Sequence, residues 1–128
     1  MASLFKQPEI HIVDDDEAVR DSLDVYLTMK DIRVAVFASA KDFLERSSFT
    51  LDLLILDVNM PEIDGFTLLE ILRKEKNYSR PVILISGLGD PETKARAERA
   101  GVAAFIDKPV DTPFLYSTIT SLLSTEQN

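Results

Sequence analysis

Cysteine is absent from this sequence, histidine occurs once, and no apolar run is long. Without cysteine there is no disulfide framework, no thiolate nucleophile and no cysteine-built zinc site. A single histidine, His11, excludes a multi-histidine metal centre. It falls within a predicted strand and reads as a core residue. The longest aliphatic runs, Leu53–Leu56 and Val82–Ile85, fall far short of the roughly 20 residues needed to span a bilayer. The opening Met-Ala-Ser-Leu-Phe-Lys lacks the apolar centre of a signal peptide. The expectation is therefore a cytoplasmic protein with no membrane contact. Basic residues are also in the minority: 14 Lys and Arg stand against 22 Asp and Glu, a net charge of −8. Such a surface repels phosphate backbones, so direct nucleic-acid binding is not expected.

The 128 residues match one domain and can bury one core. No repeat, low-complexity tract or linker interrupts them. Short apolar runs alternate with longer amphipathic stretches. Strands are predicted at Ile10–Val13, Val34–Phe37, Leu53–Leu56, Val82–Ile85 and Ala104–Ile106. Helices are predicted over Glu17–Lys30, from Ser39, over Phe66–Glu75, from Asp90-Pro91, and over Pro113–Leu123. Val19, Leu23, Tyr26 and Leu27 form the apolar stripe of the first helix. Ser39 with Asp42 reads as a capping box, and Asp90-Pro91 as an N-cap with Pro at the first helical position. The fourth helix offers a core only Ala95, Ala97 and Ala100, whereas the third offers Phe66, Leu69 and Leu72.

Strict alternation implies an α/β fold, a doubly wound five-stranded parallel sheet with helices on both faces. The flavodoxin-like order 2-1-3-4-5 fits the length, although periodicity does not reveal strand order. Ligands of such sheets bind beyond the carboxyl ends of the strands.

The residues at those ends are not random. Asp14, Asp15 and Asp16 follow the first strand, Asp57 the third, Ser86 the fourth, and Asp107 and Lys108 the fifth; the second contributes only Ala38 and Ser39. Carboxylates about 4 Å apart repel by roughly 4 kcal/mol per pair at an effective dielectric of 20. A cation or protons must offset that repulsion, and compact carboxylate oxygens suit a hard cation such as Mg²⁺. One acid would suffice to cap the first helix; three in a row with Asp57 call for a metal. A carboxylate is also a competent nucleophile toward phosphorus. Phosphoryl transfer needs neutralised equatorial oxygens, for which Lys108 and the Ser86 hydroxyl are suited. Gly87 leaves room for a bulky donor.

The set Asp14-Asp15, Asp57 with Met60-Pro61 and Gly65, Ser86-Gly87 and Lys108-Pro109 resembles the receiver domain of two-component response regulators. The resemblance covers about residues 9–123, and the ordered set is specific where no single motif is. It implies that Asp57 is the phosphoacceptor, taking its phosphoryl group from a sensor histidine kinase. Asp14, Asp15 and Asp57, with the Asn59 backbone carbonyl, would hold Mg²⁺, or Mn²⁺ in its place. Asp15 would be the more direct ligand of the two leading acids. Lys108 would be the basic partner, through a cis bond to Pro109, while Ser86 and Phe105 would form the switch. The surface of the fourth helix, fifth strand and fifth helix would respond, with phosphorylation-dependent homodimerisation as one outcome. Such a chain is a stoichiometric phosphoacceptor that assists its own phosphorylation and dephosphorylation, not an enzyme.

Ile-His-Ile-Val-Asp-Asp-Asp and Ser-Gly-Leu-Gly-Asp look most like receivers attached to LuxR-type helix-turn-helix output domains. Residues 1–128 then form one receiver domain with no output domain, and DNA is reached, and transcription controlled, through an attached or partner output domain. Val110 and Leu88 depart from commoner residue types, and Asn59 and Leu88 would set the phosphoryl lifetime. Two rivals remain. A phosphatase of the haloacid-dehalogenase type also uses an Asp nucleophile with Mg²⁺, but its Asp-x-Asp motif would place Asp where Asn59 stands. A degenerate receiver would act as a constitutive docking module without the complete site.

Overall fold

In a computed structural model, described here for residues 7–126 apart from Leu88, five strands alternate with five helices. The order is β1 (Glu9–Val13), α1 (Glu17–Met29), β2 (Arg33–Phe37), α2 (Ala40–Arg46), β3 (Leu53–Asp57), α3 (Gly65–Glu75), β4 (Val82–Ser86), α4 (Pro91–Arg99), β5 (Ala104–Asp107) and α5 (Thr112–Glu126). All four strand pairings are parallel, in the order β2-β1-β3-β4-β5. The expected doubly wound sheet is therefore the observed one.

Side chains alternate across the sheet with period two and both faces are covered, which is why β3 and β4 are aliphatic up to their last residues, Asp57 and Ser86. Leu54 and Leu56 of β3 join one apolar layer with Phe43 of α2, Leu68, Leu69 and Leu72 of α3, and Ala97 of α4. Leu53 and Ile55 join the opposite layer with Leu23 and Leu27 of α1 and Leu115 and Ile119 of α5. Each fully buried Leu or Ile contributes about 1.5–3 kcal/mol relative to exposure. His11 is buried in this framework, its Nε2 2.8 Å from Glu9 Oε2 and its Nδ1 3.2 Å from Ser47 Oγ.

Helix starts follow the cap residues. Asp16, Ser39, Asp64 and Asp90 each accept a backbone N–H of the first turn. The Ser39–Asp42 pair departs from a reciprocal box: Asp42 Oδ2 accepts from Ala38 N–H, one residue before the cap, and ion-pairs with Arg46. α5 runs past both expected bounds. Asp111 Oδ1 accepts from Phe114 N–H and caps the helix ahead of Pro113, and beyond Leu123 no apolar residue marks its end. On α1, Leu23 and Leu27 are buried, but Val19 and Tyr26 are half-buried, with the Lys30 ammonium 5.5 Å above the Tyr26 ring. On α4, Ala97 is the one buried residue, while Ala95 and Ala100 are only half-buried.

Candidate functional site

Parallel pairing carries the strands further than hydropathy suggests. Asp57, Ser86 and Asp107 are the last residues of β3, β4 and β5, not the first loop residues, with Asp57 in register with Ile85 and Ser86 with Asp107. Asp14 follows β1 directly, its N–H donating to Phe37 O at 3.1 Å. Backbone hydrogen bonding thus fixes where each side chain starts.

The three leading acids divide their tasks. Asp16 caps α1, its Oδ1 accepting from Ala18 N–H at 2.9 Å. Asp14 is 0 % exposed, and its Oδ1 accepts the Asp16 N–H at 2.9 Å. Asp15 is exposed. Asp57 is 2 % exposed. Asp14, Asp15 and Asp57 each offer a carboxylate oxygen within 4.8 Å of the others. Lys108 Nζ lies 2.9 Å from Asp14 Oδ2 and 3.4 Å from Asp57 Oδ1.

One ammonium faces three carboxylates, so negative charge is left over. Burial first, and then the Asp14 charge, raise the Asp57 pKa to about 7, against the Lys108 charge and a hydrogen bond from the Asn59 backbone. Burial pushes Lys108 down, but Asp14 and Asp57 outweigh it and the ammonium titrates above its ordinary range. Asp14 Oδ2 is buried and, apart from this ionic contact, has no hydrogen-bond partner among the described residues. A compact oxygen cluster with excess negative charge fits a hard divalent cation, which takes carboxylate oxygens and keeps waters.

Ser86 is fully buried at the end of β4, and the Asn59 side-chain amide donates to its Oγ at 3.4 Å. Lys108 N–H donates to Ser86 O at 2.8 Å, and the Lys108–Pro109 bond is cis. A Cβ at Gly87 would meet nothing within 4 Å, so the approach beside Ser86 is open. A Cβ at Gly65 would lie 2.4 Å from Asp57 O; only glycine lets the start of α3 back onto the Asp57 backbone. Phe105 belongs to the core: half-buried on β5, it is in register with Leu84 and packs on the α3–α4 side.

Two residues do not fit the strand-end pattern. Asp107 does not join the acid cluster; it is exposed and lies 3.5 Å from Lys94 of α4. Arg20 was not anticipated, yet its Nη1 donates to Asp14 O at 2.8 Å. It is the sole cation of α1, a signal visible in the sequence beside so many acids. Leu88 lies outside the described residues.

A family model described as the response regulator receiver domain matches residues 10–120. The transcriptional regulatory protein TdiR of Thauera aromatica is 34 % identical over 116 residues, which cover 90 % of this chain and 51 % of TdiR. The transcriptional regulatory protein FixJ of Rhizobium meliloti is 38 % identical over 114 residues, covering 86 % of this chain and 54 % of FixJ. The chain thus spans about half the length of these relatives. A CheY-like response regulator receiver domain protein from Methanospirillum hungatei superposes with a TM-score of 0.87 at 28 % identity, over 95 % of this chain and 98 % of that one.

Proposed function

The chain belongs to the response regulator receiver domain family, and we propose that within it Asp57 is the phosphoacceptor of a partner histidine kinase. Receiver domains are phosphorylation-controlled modules of two-component signalling, rather than enzymes with turnover as their output. The observation that carries the assignment is the buried Asp14–Asp57 pair bridged by the Lys108 ammonium.

Asp57 Oδ attacks the phosphorus of a kinase phosphohistidine; the new O–P bond forms as the N–P bond breaks, and the imidazole leaves. Asp14 and Asp15, with Asp57 and the Asn59 carbonyl, would hold Mg²⁺, or Mn²⁺ in its place. An ion held there would supply positive charge to offset that on the transferring phosphoryl oxygens. Lys108 supplies a second positive charge to the same group. Ser86 Oγ turns from Asn59 toward a phosphoryl oxygen, and Phe105 follows into the space released. The acyl phosphate is later lost to water within the same site, so the chemistry is stoichiometric. Residues 9–123 act as one receiver unit in the cytoplasm. The face of α4, β5 and α5 then carries the signal to a second copy or to an output domain that binds DNA, as the transcriptional relatives suggest.

Acetyl phosphate with Mg²⁺ provides the test, read by intact mass. One phosphoryl group per chain is expected on the wild type and none on Asp57→Asn. Labelling of that variant at the wild-type rate would remove Asp57 from the role.

A further inference from the structure

On the face where α3 and α4 lie side by side, a groove of about 310 Å³ opens between them. Phe66, Leu69 and Ala100 form its apolar floor, and Arg73, Lys74, Arg96 and Arg99 stand on its walls. The one carboxylate among the lining residues, Glu70, rests 3.6 Å from Lys74. Against a net charge of −8 for the chain, this is a local inversion of sign.

Cations in the last turns of α3 and α4 suit the helix dipoles. That accounts for Arg73, which donates to Ala100 O and Gly101 O and closes the end of α4. Arg96, likewise in the last turn of α4, also lays its guanidinium over the Phe66 ring at 4.1 Å and covers that ring on the groove side. A guanidinium stacked on a ring is readily drawn to a carboxylate, and when it moves it uncovers Phe66. Lys74 and its partner Glu70 are both well exposed, an ion pair that exchanges easily.

We propose that the α3–α4 groove is a docking site for an acidic amphipathic segment of a partner protein. Such a segment is a short helix that sets one bulky apolar side chain over Phe66 and the half-buried Ala100 and pairs carboxylates with Lys74, Arg96 and Arg99. The chemistry distinguishes this occupant from other anions. A nucleic acid or an anionic bilayer presents charge over a wide area and meets the repulsion of the whole acidic chain. A short peptide meets only the groove, because charges more than about 8 Å away are screened at physiological ionic strength. The apolar floor gives a side chain something to bury that a phosphate does not have. The site is separate from the phosphoacceptor pocket.

The probe is a fluorescein-labelled peptide of about 12 residues, about 18 Å long as a helix. It carries Glu pairs around Leu and Phe at helical spacing, and fluorescence anisotropy follows its binding to the full chain. Saturable binding is expected, at least tenfold weaker for the Gln-for-Glu peptide and at least tenfold weaker for Lys74→Glu/Arg99→Glu. Amide chemical-shift changes on the wild type should centre on Phe66–Lys74 and Arg96–Ala100, a readout that needs no variant. Asp57→Asn should bind the probe as the wild type does, so the result stands whether or not Asp57 is the phosphoacceptor. Equal binding of the Gln peptide, shift changes elsewhere, or equal binding of a single-stranded oligonucleotide or of phosphatidylglycerol vesicles would each overturn the proposal.

Discussion

At Asp57 a buried carboxylate lies beside a second one with a single ammonium between them. Its pKa, raised to about 7 by burial and by Asp14, makes ionisation a cost to the metal-free fold. The folded chain holds this proton more tightly than the unfolded chain, whose carboxyl titrates near 3.8. Below the lower value both states are protonated and nothing is lost; stability then falls as pH rises toward about 7 and levels off above it. In EDTA, Asp57→Asn should therefore gain stability over the wild type at about pH 8 and almost none at about pH 4. At roughly 1.4 kcal/mol per pKa unit, the shift from 3.8 to about 7 sets an upper bound of about 4 kcal/mol on the gain at the higher pH. Urea denaturation at both values checks it, and an equal gain at each would mean that the charge is not the cause. Gly65 sets a steric limit nearby. Gly65→Ala forces a Cβ onto Asp57 O and should cost about 1–3 kcal/mol. It should also slow acetyl-phosphate labelling, because the strand end that carries the nucleophile must shift. A variant as stable and as reactive as the wild type would show that α3 backs off freely.

Among the elements, α3 and α4 differ most in anchorage. α3 buries Gly65, Phe66, Leu68, Leu69 and Leu72, whereas α4 buries Ala97. Leu72→Ala should cost about 2–5 kcal/mol in urea denaturation. Ala97→Gly removes one methyl and some helix propensity and should cost only about 1–2 kcal/mol. Moving elements come from the weakly held end of a fold. Ser86 lies just before the loop that leads to α4, so a hydroxyl drawn from Asn59 would pull on that approach. Hydrogen exchange with and without beryllofluoride should show its largest changes over residues 89–106, with α1 and α2 quiet. Changes confined to α1 and α2 would put the responsive surface elsewhere.

For the whole molecule, a bound divalent cation is a folding ligand, because the acid cluster is assembled only in the folded chain. Binding to the folded state alone stabilises by RT ln(1 + [L]/Kd), about 2.7 kcal/mol at a hundredfold excess over Kd. The melting temperature should rise with Mg²⁺ and stop rising at saturation. Asp15→Asn should remove this shift while leaving the metal-free melting temperature near that of the wild type, since Asp15 is exposed and most surface changes fall within about 0.5 kcal/mol. A large loss of metal-free stability in that variant would make Asp15 a structural acid instead.

The sequence by itself determined the alternation of elements, the caps and the succession of strand-end residues. Aliphatic runs of four and helical stripes are local patterns, and local backbone geometry obeys them. From there the resemblance to receiver domains was legible, because the ordered set Asp14-Asp15, Asp57, Ser86 and Lys108 survives as letters alone. Periodicity did not decide how those letters meet. Asp14, Asp15 and Asp16 look alike in a row, yet one is buried, one exposed and one a helix cap. Asp107 was equally eligible for the cluster and lies instead beside Lys94. The Asn59–Ser86 bond, the Arg20 contact to Asp14 and the groove between α3 and α4 all join residues whose neighbourhood follows from strand order and helix packing. Sequence spacing records which residues sit at an edge; only the packed chain sets which of them lose their water, and so which must find a counter-charge.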